Sequence, residues 1–209
     1  MDGAERLQNP LAYEDRFWSR GFCRVAGVDE VGRGPLAGPV VAAAVILRPG
    51  ISIPGAGDSK ALTKAKREKL AGAILSGAEA VALGAASVRE IDRLNILVST
   101  RLAMSRALTN LPLEPEHVVV DGLPVKGLEW EHDAVVGGDG SVHSVGCASI
   151  LAKVVRDRLM ARLAPRYPGY GWETNMGYGT AQHMAALREL GPTPHHRLTF
   201  GGVQMDLGI

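Results

Sequence analysis

Apolar positions along the chain follow two periodicities, and they alternate. Residues 40–47 form an unbroken apolar run of strand length, which predicts a strand buried on both faces. Residues 24–29, 79–87 and the β-branched run 117–120 predict three more strands, with 134–136 as the candidate fifth. Thr63 reads as an N-cap, so a helix is predicted over 64–74. A short helical turn is expected over 88–94. Over 96–108, Ile96, Thr100, Met104 and Leu108 recur every fourth residue and predict a longer helix. The strongest helix is predicted over 149–163, where Ile150, Leu151, Val154, Val155, Leu159 and Leu163 make one stripe. A Pro/Gly/aromatic segment, 165–172, separates it from a last helix over 180–190. Tyr13, Phe17 and Trp18 suit one face of a short helix in a polar leader.

Three strands come first and then mix with helices. That order predicts an α/β domain with a mixed sheet, followed by a small C-terminal helical lobe. The expected division is a leader over 1–22, the α/β domain over 23–165, and a helical part over 166–209 that completes the site. No internal repeat is visible.

Composition narrows the class. A chain of 209 residues, 46% of them apolar, is too apolar to stay disordered and long enough for a full core. The formal net charge of +1 gives no global positive field, so nucleic-acid binding would have to come from local clusters. Cys23 and Cys147 sit in no metal-ligand spacing and suggest a reducing compartment. The first residues carry no apolar signal core, and no apolar run approaches a membrane span. The expectation is a soluble cytoplasmic protein, monomeric, with no membrane partner.

The chemistry sits in acids at strand ends. Asp29 and Glu30, Asp121, and Asp139 each follow a short apolar run, with Gly32, Gly122 and Gly138 beside them. Ligand sites in open α/β sheets form at the carboxyl ends of strands. Clustered carboxylates repel one another, and a hard divalent cation with oxygen ligands relieves that repulsion. Two such ions can bracket a phosphodiester. Each piece alone is bland, because an Asp-Gly pair by itself reads as a turn. Asp29 and Glu30 pose a further difficulty. Adjacent strand residues point to opposite faces, so both serve one site only if the strand ends there and the chain bends.

The turn Gly32-Arg33-Gly34-Pro35 follows the acidic pair. It is neither a Walker loop nor a dinucleotide fingerprint. It reads either as a tight hairpin turn or as backbone laid open to a phosphate, with Arg33 as its partner. Ser59 and Lys60 open a basic stretch with Lys64, Lys66, Arg67 and Lys69, which suits a phosphate seat or a solvated helix face. Lys153, Arg156, Arg158 and Arg162 form a second basic set, either touching nucleic acid or balancing acids elsewhere. Tyr178, between Gly177 and Gly179, either packs over a loop or stacks on a sugar or base. His183, His195 and His196 add possible donors.

Taken together, these motifs resemble one family, type 2 ribonuclease H. Val28-Asp29-Glu30-Val31-Gly32-Arg33-Gly34-Pro35-Leu36-Ala37-Gly38-Pro39 resembles its first signature, and Asp58-Ser59-Lys60 its Asp-Ser-Lys motif. Ile91-Asp92, Leu94-Asn95-Ile96-Leu97, Asp121-Gly122 and Gly138-Asp139 follow in the family's order. Ala148-Ser149-Ile150-Leu151-Ala152-Lys153-Val154, then Gly177-Tyr178, Thr180, His183 and His195-His196-Arg197 complete it. The likeness spans about 24 to 200. Gly137 departs from a position where the family often carries a basic residue, and Cys147 from a small one.

The resemblance implies an RNase H-like fold, a mixed five-stranded sheet flanked by helices. It implies that Asp29, Glu30, Asp121 and Asp139 bind two Mg²⁺ or Mn²⁺ ions. The implied substrates are RNA–DNA hybrids and duplex DNA holding single ribonucleotides, cut on the 5′ side of a ribonucleotide to leave 3′-hydroxyl and 5′-phosphate ends. Gly32, Arg33 and Gly34 would sense the ribose 2′-hydroxyl, and Tyr178 would stack on the neighbouring sugar. Ser59, Lys60 and Lys153 are the implied phosphate contacts. Three rivals stand beside it: a phosphoryl enzyme of other specificity, a binder without chemistry, and a structural protein whose acids cap turns.

Overall fold

A computed structural model describes residues 9–57, 59 and 62–207 of the chain. Five strands form one sheet: β1 (Val25–Val31), β2 (Val40–Ile46), β3 (Ala80–Ala86), β4 (His117–Asp121) and β5 (His132–Val135). Their order is β3-β2-β1-β4-β5. The pairs β1–β2 and β2–β3 are antiparallel, whereas β1–β4 and β4–β5 are parallel. The sheet is therefore mixed, as the strand order in sequence implied.

Helices cover both faces. On one, α4 (Ile96–Thr109) lays Ala103, Met104, Ala107 and Leu108 over Ala26, Val28, Ala42, Ala44, Val118 and Val120. On the other, α2 (Lys64–Gly77) and α5 (His143–Leu163) bring Leu70, Ile74, Ile150, Leu151 and Val154 against Ala43 and Val45. This double cover explains why every residue of β2 is buried. Between β3 and α4 lies α3 (Val88–Leu94), closed at its start by a capping box of Ser87 and Glu90. The far end of α5 runs beyond the sheet and carries Met160 into a third cluster with Trp172 and Leu187. That cluster is the small lobe of α6 (Trp172–Asn175), α7 (Ala181–Leu190) and α8 (Gly201–Leu207). No described helix is long and apolar enough to cross a membrane.

Among the boundaries that differ from the sequence expectation, two have a clear tertiary reason. β1 continues through Val31 because β2 pairs with it that far, Val31 opposite Val41. α5 starts at His143, not at 149. Its N-cap residue, Val142, offers no side-chain cap. Glu14, fully buried, supplies one from the leader: its Oε1 accepts from the Ser144 N–H at 2.7 Å and from the Ser144 hydroxyl at 2.8 Å. A carboxylate at a helix N-terminus also meets the positive end of the dipole. Glu14 lies next to α1 (Asp15–Trp18), whose Phe17 ring stacks on His117 at the start of β4.

Gly27 sets how close α5 approaches β1. A methyl group there would overlap the backbone of Ser144 and Val145. Gly27→Ala is expected to push the helix off the strand and cost on the order of 2–3 kcal/mol. A drop in the urea midpoint with an unchanged slope checks it; an unmoved midpoint would show that the helix shifts freely.

Candidate active site

Parallel pairing brings the carboxyl ends of β1, β4 and β5 side by side. Val28 pairs with Val120, so Asp29 lies alongside Asp121. Beyond β5, Gly137 takes a left-handed φ of +70° and turns the chain into a short 3₁₀ turn, Gly138–Gly140, which carries Asp139. The Gly138 N–H donates to Asp121 Oδ1 at 2.7 Å and ties that turn to the end of β4. Asp29, Asp121 and Asp139 thereby gather, with carboxylate oxygens within 4.8 Å of one another.

Asp29 is closely held. It is 6% exposed, and its Oδ1 accepts from the Glu30 N–H at 2.7 Å. The Ser149 side chain on α5 also bonds to it. Burial pushes its carboxyl up to about 8, with the nearby charge of Glu30 the next cause, while the Ser149 bond pulls the other way. Three converging carboxylates, one of them resisting ionisation, fit a hard divalent cation with oxygen ligands.

Glu30 stands outside this trio. Strand alternation holds to the end of β1: Asp29 faces α5, and Glu30 faces the opposite side. There Glu30 lines a cleft of about 470 Å³ with Asp121, Thr100 and Met104. Its Oε1 accepts from Arg33 Nη1 at 3.3 Å. Burial pushes its carboxyl up against the lowering effect of Arg33. The bend that sequence reasoning required is absent; both acids reach the same sheet end from opposite faces.

Ser59 turns inward. It is 4% exposed, and its hydroxyl lies 2.9 Å from the Ser149 hydroxyl, which in turn holds Asp29. A side chain so enclosed has little surface for a phosphate, so the expected phosphate contact does not match this placement. Ser59 braces the acidic site from behind. Lys153 donates to Asp157 at 2.7 Å on the same helix. Lys60 lies outside the described residues. The Tyr178 ring, 46% exposed, lies over Gly34; a Cβ built there would sit 3.6 Å from the ring.

Sequence reasoning missed the two residues that shape the Gly32–Pro39 loop. Arg156 and Arg197 are both 0% exposed. Arg156 donates to the carbonyl oxygens of Pro39, Ala37 and Met176, each at 2.9 Å. Arg197 donates to those of Gly32, Arg33 and Gly38 at 2.5–3.0 Å. Burial pushes their side chains down to about 10 and about 9 respectively. Gly32 has a φ of +95°, and a methyl group there would overlap the Arg156 side chain. In the sequence, Arg156 stood only in a basic set and Arg197 only in the family-like His195-His196-Arg197 motif, and neither pointed to this loop.

Residues 26–203 match the family model of ribonuclease HII. The chain belongs to the ribonuclease HII family. Ribonuclease HII of Cereibacter sphaeroides is 54% identical over 190 residues, covering 90% of this chain and 89% of that protein. That of Granulibacter bethesdensis is 52% identical, covering 100% and 97%. Among solved structures, ribonuclease H2 of Pyrococcus horikoshii is 28% identical with a TM-score of 0.75, covering 88% of this chain and 96% of that one. The ribonuclease HII in a PCNA complex from Archaeoglobus fulgidus is 25% identical with a TM-score of 0.70, covering 83% and 92%. The expected fold is thus borne out. The activity is that of a ribonuclease H endonuclease acting on RNA in hybrids.

Proposed function

We propose that the chain cuts RNA–DNA hybrids and also single ribonucleotides within duplex DNA, on the 5′ side of the ribonucleotide, leaving 3′-hydroxyl and 5′-phosphate ends. Asp29, Asp121 and Asp139 hold divalent ions, Mg²⁺ or Mn²⁺, and Glu30 completes the set from the opposite face of β1. When bound, two such ions supply an activated water and neutralise the leaving oxygen. The residues do the rest. Asp29 is braced by Ser149 and Ser59, and Asp121 by the Gly138 amide, so the carboxylates are set before substrate arrives.

The observation that carries the ribose specificity is the Tyr178 ring lying over Gly34. An exposed aromatic face beside a glycine turn suits a sugar pressed between ring and backbone. The backbone of Gly32, Arg33 and Gly34 meets the 2′-hydroxyl, which marks a ribonucleotide locally. Arg156 and Arg197 add two buried cations beneath this turn, bonded to carbonyl oxygens, and favour a phosphodiester above it. This local field answers the near-zero net charge. Lys153, and Lys60 by the family resemblance, serve as contacts to flanking phosphates.

A DNA duplex with one embedded ribonucleotide tests this, beside an all-DNA duplex. A single cut 5′ to the ribonucleotide is expected, with the all-DNA duplex intact. Equal cutting of both, or cutting only of long hybrids, would overturn the ribose-sensing role. Omitting divalent metal should abolish cutting.

A further inference from the structure

Trp172, His183 and His196 lie packed in the C-terminal lobe at 0%, 0% and 1% exposure. Their hydrogen bonds permit one arrangement of protons. The Thr193 N–H donates to His196 Nδ1 at 2.8 Å, and the Thr193 hydroxyl lies 3.0 Å from the same nitrogen. That nitrogen therefore carries the lone pair, and a neutral His196 bears its proton on Nε2. His196 Nε2 faces His183 Nε2 at 2.9 Å, so His196 donates and His183 accepts. The Trp172 indole N–H, which can only donate, also points at His183 Nε2, at 3.2 Å. His183 then keeps its proton on Nδ1 and donates it to the Tyr178 carbonyl oxygen at 2.9 Å.

We infer that His196 and His183 are positioning residues, joined in a hydrogen-bonded chain of fixed tautomers that runs from the Thr193 amide to the Tyr178 carbonyl and aims the Tyr178 ring at the substrate sugar. The inference rests on the proposed contact between Tyr178 and that sugar. Neither imidazole is exposed enough to touch substrate. Both are fully committed to partners, and the chain of donors ends on the backbone of the residue whose ring is exposed. Burying two imidazoles costs free energy unless every polar atom is satisfied, and here each ring nitrogen is. The Tyr170 ring lies 4.8 Å from that of His196 and 5.9 Å from that of His183. Gly177 and Gly179 flank Tyr178, its ring faces outward, and its carbonyl oxygen, which also accepts from the Thr180 N–H at 2.8 Å, is where the chain holds it.

Two independent measurements test this. Long-range ¹H–¹⁵N spectra of the free, ¹⁵N-labelled protein at pH 7 report the tautomers directly. Both rings are expected neutral, His196 protonated on Nε2 and His183 on Nδ1. Any other assignment overturns the chain, whatever the substrate contact turns out to be. The second measurement is kinetic, on the single-ribonucleotide duplex. His196→Leu is expected to raise KM about 5–10-fold, the loss of one hydrogen bond's worth of alignment, with kcat within about 2-fold. His196→Gln keeps an acceptor and a donor and is expected to restore most of KM. In a Tyr178→Ala background, His196→Leu is expected to change KM less than about 2-fold, because there is no ring left to aim. An equal KM effect in both backgrounds would make the pair merely structural and overturn the positioning role. A Tyr178→Ala variant with unchanged KM would remove the sugar contact and the positioning role together, with the tautomers still judged by the spectra.

Discussion

Asp29→Asn is expected to abolish cleavage while making the metal-free protein more stable at pH 8. The two effects have one cause. Asp29 is buried, and its carboxyl is held up at about 8 by burial and by Glu30. In the unfolded chain the same group titrates near about 3.9. The folded state therefore holds its proton more tightly. Its contribution to stability is fully present below about pH 4 and is lost as pH rises towards about 8. Above that, the fold carries an ionised carboxylate beside those of Glu30 and Asp121. Asparagine has the shape of the carboxylate without its charge, so it removes this strain.

A divalent ion removes the strain in the wild-type protein by another route. Bound metal stabilises the native state by mass action, and the gain should grow with pH as Asp29 ionises. Urea midpoints measured in chelator from pH 5 to 9 should fall for the wild type and stay flatter for Asp29→Asn. Added Mn²⁺ should rescue the first and do little for the second. Activity should drop by at least about 10²–10³-fold, since the lost charge is one the transition state needs. Equal metal stabilisation of both proteins would remove Asp29 from the ligand set.

Arg197→Met is expected to cost about 3–5 kcal/mol, more than most single substitutions. The guanidinium satisfies carbonyl oxygens of Gly32, Arg33 and Gly38 with four hydrogen bonds, in a place with 0% exposure. Methionine fills much of the volume and satisfies none of them, so each buried carbonyl pays its desolvation cost. Arg197→Lys keeps the charge, but an ammonium cannot spread over three carbonyls as a planar fork does. It should recover part of the stability and little of the activity, because the Gly32–Gly34 turn loses its shape. Thermal melts with and without Mn²⁺, together with cleavage of the single-ribonucleotide duplex, separate the two losses. A Lys variant as active as wild type would show that charge alone, and not the fork, holds the loop.

Much of this protein was legible before any fold was seen. Binary patterning located all five strands and the main helices, because a strand with two covered faces must be apolar throughout and an amphipathic helix must repeat near every fourth residue. Thr63 and Thr180 marked helix starts because their hydroxyls accept from the amides of Lys66 and His183. The acids at strand ends were visible because parallel strands bring their carboxyl ends to one edge, a property of topology that strand order already suggests.

Other features were decided by contacts across long stretches of chain. Glu14 caps a helix 130 residues away, so nothing near 143 could announce its start. Ser59 read as a phosphate contact and Arg156 as one of a basic set, because charge and hydroxyls default to the surface in any reading of a chain; the fold encloses both side chains. The tautomers of His183 and His196 depend on an indole and a backbone amide that only the packed lobe supplies. The sequence by itself determined which residues can carry charge and where strands lie, because these follow from local pattern. Only the tertiary structure decided which face each acid takes and which cations stay buried. Those follow from pairing register and from the demand that every enclosed polar atom find a partner.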